Sequence, residues 1–310
     1  MNKMNSPVLR KLPNKAERHR LFGSVDPGPR TKPTKKSDMA DIQNSKKDFL
    51  FDIKQVGISN VKYPIIVESA LEPHTQQTIG TFTLSSAINQ HSKGTNMSRF
   101  LEQIEESKKD GFRVGLNNLK EFGLALRDRL EQERVTVEVA FPWFYEQISP
   151  KSAKSGLNYA NVSISLSQLE NNQTEYSATM EATITTLCPC SKEISEYSAH
   201  SQRGKVTMEV TFTDGFEFTE ADWKKDLLHA AESNASSPTH PLLKRVDEKH
   251  VTETAYENPR FVEDIVRLIA ADLYELDYID KFKVTCENEE SIHLHNAIAV
   301  VEYDKADEQQ

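Results

Sequence analysis

The chain is poor in the residues that announce a class. It has three cysteines in 310 residues, an odd number, so it carries no disulfide framework and a reducing cytoplasm is the expected location. Its 11 glycines and 13 prolines are too few for a fibrous or low-complexity protein. No apolar run approaches the ~18 residues of a membrane span, so no membrane partner is expected. The basic N-terminus lacks an apolar segment and does not read as a secretory signal. Neither G-x-x-x-x-G-K-[ST] nor G-x-G-x-x-G occurs, which sets aside the usual phosphate-cradling loops.

What is present is a foldable body with an uneven charge. Apolar residues make up 37%, and the length allows one large domain or two ordinary ones. Residues 1–48 hold 12 Lys/Arg against 5 Asp/Glu, a balance of +7, while the other 262 residues hold 26 against 42, a balance of −16. Residues 1–40 are rich in Pro, Asn, Ser and Lys without periodicity and read as a disordered basic arm. An acidic body argues against general nucleic-acid binding.

From Asp41 the pattern becomes periodic. "FDIKQVGISNVKYPIIVES" and "TIGTFTLSSAI" read as a strand pair, the first bent near Gly57–Asn60. Two helices follow, with apolar positions Phe100 and Ile104, then Leu119, Phe122, Leu126 and Leu130; Gly111 is the expected cap between them. "VTVEVAFPWFYEQ" and "NYANVSISLSQLE" have period two. The order then restarts: two strands, two helices opening at Thr219 and at Asn258–Pro259, and two closing strands. The expected fold is α+β, with two tandem β-β-α-α-β-β units at 41–170 and 171–310, each an antiparallel sheet with helices on one face. Such sheets have open edges, and closing them into barrels by self-association predicts a homo-oligomer with sites at subunit seams.

Chemistry-bearing residues cluster in three places. In "TLCPCSKEISEYSAHSQRG", Cys188 and Cys190 flank a proline, and His200 follows in a polar loop. Thiolate, imidazole and a carboxylate make a common catalytic metal set; two small buried cysteines at a strand end are an equal reading of C-P-C alone. The polar link "SSPTHPLLKRVDEKHVTETAYENPRFVEDIVR" carries Glu248, His250 and Glu263, and links of that length between helices are often functional. By spacing, Glu263 is an exposed acid four residues before Arg267. In "ENEESIHLHNA", Glu290 precedes His293 and His295, which share one face if the segment is a strand and line a wet hairpin rim if not. Lys192, Arg203, Lys93, Ser98 and Arg99 are the candidates for holding an anion.

Taken together, these three stretches and the entry segment "DIQNSKKDFLFDIKQVGISNVKYPI" resemble the type IB GTP cyclohydrolases, in the family's order from about Asp41 to Asp304. The resemblance implies a tunnelling fold, usually a homotetramer. It also implies hydrolysis of GTP to 7,8-dihydroneopterin triphosphate and formate, the entry to reduced pterins, folates and the queuosine precursor. Carried over by position, Cys188 is the metal-binding thiolate and His200 a ligand or proton donor. Glu248 and His293 complete or flank the metal, and Glu290 is a further ligand. Glu263 grips the guanine edge, which reverses its reading from spacing. One departure is Asn96, where the family leads us to expect a histidine.

The implied chemistry suits these residue types. Guanine C8 is a poor electrophile toward neutral water, and one divalent ion per site (Zn, Mn or Fe(II)) lowers the pKa of water toward neutrality. His200 and His293 are placed to carry protons near neutral pH. Lys192 and Arg203 are set to meet the triphosphate. Two alternatives stand beside this reading: a tunnelling-fold nitrile reductase with Cys188 as nucleophile, and a non-enzymatic oligomeric metal-binding protein.

Overall fold

Alternation of apolar and polar side chains dictates the strands of this protein, and a computed structural model shows how they join. It describes residues 11–309 apart from 24, 26–27, 109–110, 170–172 and 215–221. The chain forms two units, Met1–Ile42 and Gln43–Gln310. In the first, Lys15–Phe22 forms a short helix, α1, inside the stretch read as a disordered arm. The sequence reading passed over its capping box: Asn14 accepts from the Glu17 amide at 2.9 Å and Glu17 accepts from the Asn14 amide at 2.9 Å. None of its residues is buried, so local bonding alone holds it.

The second unit begins with β1 (Ile53–Glu68) and β2 (Thr75–Ile88), then α2 (Met97–Ser107), the short β3 (Phe112–Val114) and α3 (Leu116–Leu130). β4 (Val135–Ile148) and β5 (Ser155–Gln168) follow. Next come β6 (Thr174–Leu187), α4 (Pro189–Ile194), β7 (Ser201–Phe212) and α5 (Trp223–Ser233). The chain continues through β8 (Ser237–Pro238), α6 (Arg245–Glu257), α7 (Val262–Tyr274), β9 (Ile279–Asn288) and β10 (Ala297–Asp304). The strands make one 10-stranded sheet in the order β10-β9-β7-β6-β5-β4-β2-β1-β3, with β8 on β6. Every pairing is antiparallel except β1 with β3. Within one chain β3 and β10 end this order, so the sheet is open and barrel closure is not seen.

Period two puts one face of the sheet under the helices. In β4, Val135, Val137, Val139, Phe141, Trp143 and Tyr145 are buried while Glu138 and Glu146 on the other face are exposed. Phe100 and Ile104 of α2, Leu119 and Leu126 of α3, Leu227 of α5 and Ile265 and Ile269 of α7 meet that face in one apolar cluster. Burying a Leu or Ile of this kind stabilises the fold by roughly 1.5–3 kcal/mol. The expected bend in β1 is present as a register shift between Ile58 and Val61, with Asn60 left-handed at φ 59°. Gly57 allows β2 to come close: an added Cβ would lie 1.9 Å from the Leu84 carbonyl oxygen.

Three local expectations change. α2 closes at Ser107, and Gly111, left-handed at φ 81°, sits in the turn beyond it rather than at its cap. Thr219 lies outside the described residues, and the cap of α5 is Asp222, whose carboxylate accepts from the Lys224 amide at 3.1 Å. The "link" between the last two long helices contains β8 and α6. α6 escaped notice because it has no apolar stripe; only Asp247 and Ala255 in it are buried.

Candidate active site

The antiparallel order decides which residues can meet. Four strand-to-strand connections, 69–74, 149–154, 188–200 and 289–296, lie at one end of the sheet. The link from α5 to α7 returns to that end: the Ser236 amide donates to the Thr185 carbonyl at 3.0 Å and the Arg260 amide to the Leu187 carbonyl at 3.0 Å. Cys188, Lys192, His200, Arg203, Glu248, Glu263, Glu290 and His293 all belong to this end.

Cys188 closes β6 and caps α4, with Pro189 at the first helical position. Its sulfur accepts from the Ser191 amide at 3.4 Å and its amide donates to the His200 carbonyl at 3.2 Å. Cys188 is half-buried and Cys190 is exposed, so the reading of both as buried residues fails. The fully buried cysteine is Cys286, whose thiol burial pushes up to about 12.

The structure brings His200 and Glu290 together. His200 Nδ1 lies 3.8 Å from Glu290 Oε2, with the two side chains only 15% and 13% exposed. Ser291 Oγ is 3.3 Å from the same nitrogen. Gln202 Nε2 donates to the other carboxylate oxygen, Glu290 Oε1, at 3.1 Å. The Glu289 amide donates to the Arg203 carbonyl at 2.9 Å and locks β9 to β7 at this point. Gly204 permits the fit, since a Cβ there would lie 2.7 Å from Asn288 Oδ1.

Other expected residues stand apart from this pair. His293 and His295 are not on a strand: they lie in the exposed 289–296 turn with rings stacked at 4.8 Å and 13°. Glu248 and Glu263 are exposed in the first turns of α6 and α7. Lys192 Nζ donates to the Tyr256 carbonyl, and Tyr256 Oη to the Ala199 carbonyl at 3.2 Å, so the end of α6 braces the 188–200 loop. Arg203 is exposed on β7 opposite Thr185. Lys93 and Arg99 belong to the opposite end of the sheet, where β2 passes to α2, and Arg99 Nη1 donates to the Arg129 carbonyl at 2.8 Å.

Sequence reasoning missed three residues here: Gln202, Ser291 and Asp247. Buried Asp247 accepts from the Lys151, Ser152 and Lys244 amides at 2.9, 2.8 and 2.8 Å and from Ser152 Oγ at 2.5 Å. Burial works to raise its pKa, but these donors outweigh it and hold the carboxyl well below the usual range. That network fixes the start of α6, beside Glu248, against the 149–154 turn. Nearby, burial depresses His240, whose Nδ1 is buried without a partner. The findable signal was Gln202, a polar residue on the apolar face of "QRGKVTMEV".

Sulfur, imidazole and carboxylate suit a divalent ion in kind. In position they fit in part: His200 and Glu290 stand together and Cys188 joins them through the backbone, but among the described residues no three such donors are gathered closely enough to hold an ion.

One end of the antiparallel sheet thus carries Cys188, His200 and Glu290, residue types that hydrolytic metal sites use. Residues 39–299 match the family model "Type I GTP cyclohydrolase folE2". Curated relatives named GTP cyclohydrolase FolE2 are 57% identical in Oceanobacillus iheyensis (96% of this chain, 99% of the relative) and 53% in Halalkalibacterium halodurans (94% and 98%). A third, in Bacillus licheniformis, is 50% identical (95% and 98%). The chain therefore belongs to the type I GTP cyclohydrolase folE2 family, hydrolases acting on GTP, which displaces the nitrile-reductase alternative. Among solved structures it is similar to uricase from Arthrobacter globiformis, 10% identical with TM-score 0.48, over 83% of this chain and 95% of that one, a likeness too loose to carry anything about activity.

Proposed function

We propose that this chain hydrolyses GTP to 7,8-dihydroneopterin triphosphate and formate at the end of β6, β7 and β9, the entry step to reduced pterins. The observation that carries the reading is the meeting of His200 with Glu290 beside Cys188, in a chain of this family. Cys188 and His200 would hold one divalent ion (Zn, Mn or Fe(II)), with Glu248, Glu290 and His293 completing or flanking it. The ion's contribution is to make water nucleophilic near neutral pH.

The chain's own residues do the rest. Glu290 and Ser291 occupy the Nδ1 side of His200, which leaves its Nε2 for the ion; the proton for guanine N7 then falls to His293 in the 289–296 turn. One water adds at C8 and opens the imidazole ring; a second releases formate. The ribose carbons then rearrange and close the pterin ring with loss of one water, so one water is consumed overall. Glu263, exposed in the first turn of α7, accepts from guanine N1–H and the 2-amino group. Lys192 and Arg203 meet the triphosphate.

Lys93 and Arg99 can serve the same substrate only from another subunit, because β2, 14 residues long, separates them from the site by some ~45 Å within one chain. The same reading has two tandem β-β-α-α-β-β units, 41–170 and 171–310, closing into barrels across subunits of a homotetramer, with sites at the seams. The location proposed is cytoplasmic; no helix among the described residues is long and apolar enough to cross a membrane.

The test adds GTP to metal-stripped protein, restores Zn, Mn or Fe(II) singly, and follows pterin fluorescence and formate together. Both products with at least one metal are expected. Absence of product with all three overturns the reading.

A further inference from the structure

Glu290 has two oxygens with two different jobs. Oε2 faces His200 Nδ1 at 3.8 Å, while Oε1 accepts from Gln202 Nε2 at 3.1 Å. Gln202 is 9% exposed, on β7 opposite Thr186. Its own Oε1 is buried without a partner, as is Thr186 Oγ1. A buried amide oxygen left unpartnered is destabilising, so the side chain is not placed here for stability alone. Turning the amide over would set its oxygen against the Glu290 carboxylate, acceptor against acceptor. The bond to Glu290 is therefore what fixes its orientation.

The geometry points to Gln202 as a positioning residue for the metal site: it clamps one oxygen of Glu290 so that the other orients His200 from Nδ1, leaving Nε2 as the donor. Glu290 is then the carboxylate behind the histidine rather than a ligand in its own right. Outer carboxylate–histidine pairs of this kind fix the ring's tautomer and direction and raise ligand basicity. The inference rests on the proposed role of His200.

The experiment measures Zn(II) affinity of the full-length protein by competition with a chromophoric chelator, alongside the melting temperature of the metal-free protein. Gln202→Leu removes the donor and the unpartnered oxygen together. It is expected to melt within a few degrees of wild type and to bind Zn(II) roughly 10–100-fold more weakly. Glu290→Gln is expected to weaken binding by a similar factor, and adding Gln202→Leu to it should weaken binding little further, because both act through one contact. Should Gln202→Leu fail to fold, Gln202→Met takes its place in the same cycle. Unchanged affinity in a folded Gln202 variant, or losses that add in the double variant, overturns the inference while leaving the function intact. A wild-type protein that neither binds Zn(II) nor turns over GTP overturns both.

Discussion

The two halves of the sheet, β1–β5 and β6–β10, differ in the length of their connections. In the first half, β1 joins β2 through 69–74, β4 joins β5 through 149–154, and α2 joins α3 through 108–115. In the second, β6 joins β7 through 188–200, β9 joins β10 through 289–296, and α5 reaches α7 through 234–261. Every extension lies at the same end of the sheet, and Cys188, Lys192, His200, Arg203, Glu248, Glu263, Glu290 and His293 each belong to or border one. Strands and long helices set the distances, and the proposed chemistry falls to the elaborated loops on that rigid frame. The first half contributes support at this end: its 149–154 turn presents the Lys151 and Ser152 amides that hold Asp247.

This contrast can be broken by substitution. The largest effect is expected at Glu263→Ala, in the second half: a loss on the order of 10²–10³-fold in kcat/KM, because the proposed hydrogen bonds to the guanine edge lose their acceptor. Bound metal should stay at the wild-type level by elemental analysis; a matching loss of metal would move Glu263 into the metal's own surroundings. The counterpart in the first half is Leu126→Ala in α3, fully buried. It should cost about 2–5 kcal/mol in chemical denaturation and leave kcat per folded molecule unchanged. Reduced kcat in the folded fraction would show that the first half does more than support.

A smaller effect sits where the halves touch. Glu232 of α5 accepts from Tyr145 Oη at 3.3 Å and Gln147 Nε2 at 3.1 Å, both on β4. Burial raises its pKa from an ordinary 4.5 to about 7, and those two donors only partly oppose the shift. Asp247, with four donors, goes the other way. The folded state therefore holds a proton on Glu232 that the unfolded chain releases above about pH 4.5. Stability from this group is full below that pH, declines as pH rises toward about 7 and is flat above it, a span on the order of 3 kcal/mol. Glu232→Gln should remove that decline, so that urea midpoints at pH 5 and pH 8 draw together. An unchanged gap between them would show that Glu232 is ionised in the fold.

Much of this was legible in the sequence, for physical reasons. Period-two runs such as "VTVEVAF" can bury a face only as strands, and the Phe100–Ile104 and Leu119–Leu126 spacings only as helices. Cys188 and His200 came into view through the family resemblance, because C-P-C by itself reads equally as two small buried cysteines. α6 was not, because a polar helix is held by Asp247 and the 149–154 turn, nearly a hundred residues away in sequence. The 289–296 histidines misled because alternation in a short segment looks the same in a strand and in an exposed turn. The partnership of Gln202 with Glu290 depends on the β7–β9 register, which no local pattern encodes.

The central claim is that Cys188, at the end of β6, supplies the sulfur of a catalytic metal site and Cys190 does not. X-ray absorption on the Zn(II)-loaded protein tests it most directly. The expected spectrum has one sulfur at ~2.3 Å with nitrogen and oxygen at ~2.0–2.2 Å; the sulfur should vanish in Cys188→Ala and persist in Cys190→Ala. A metal without sulfur in the wild type, or a sulfur that survives Cys188→Ala, would contradict the account.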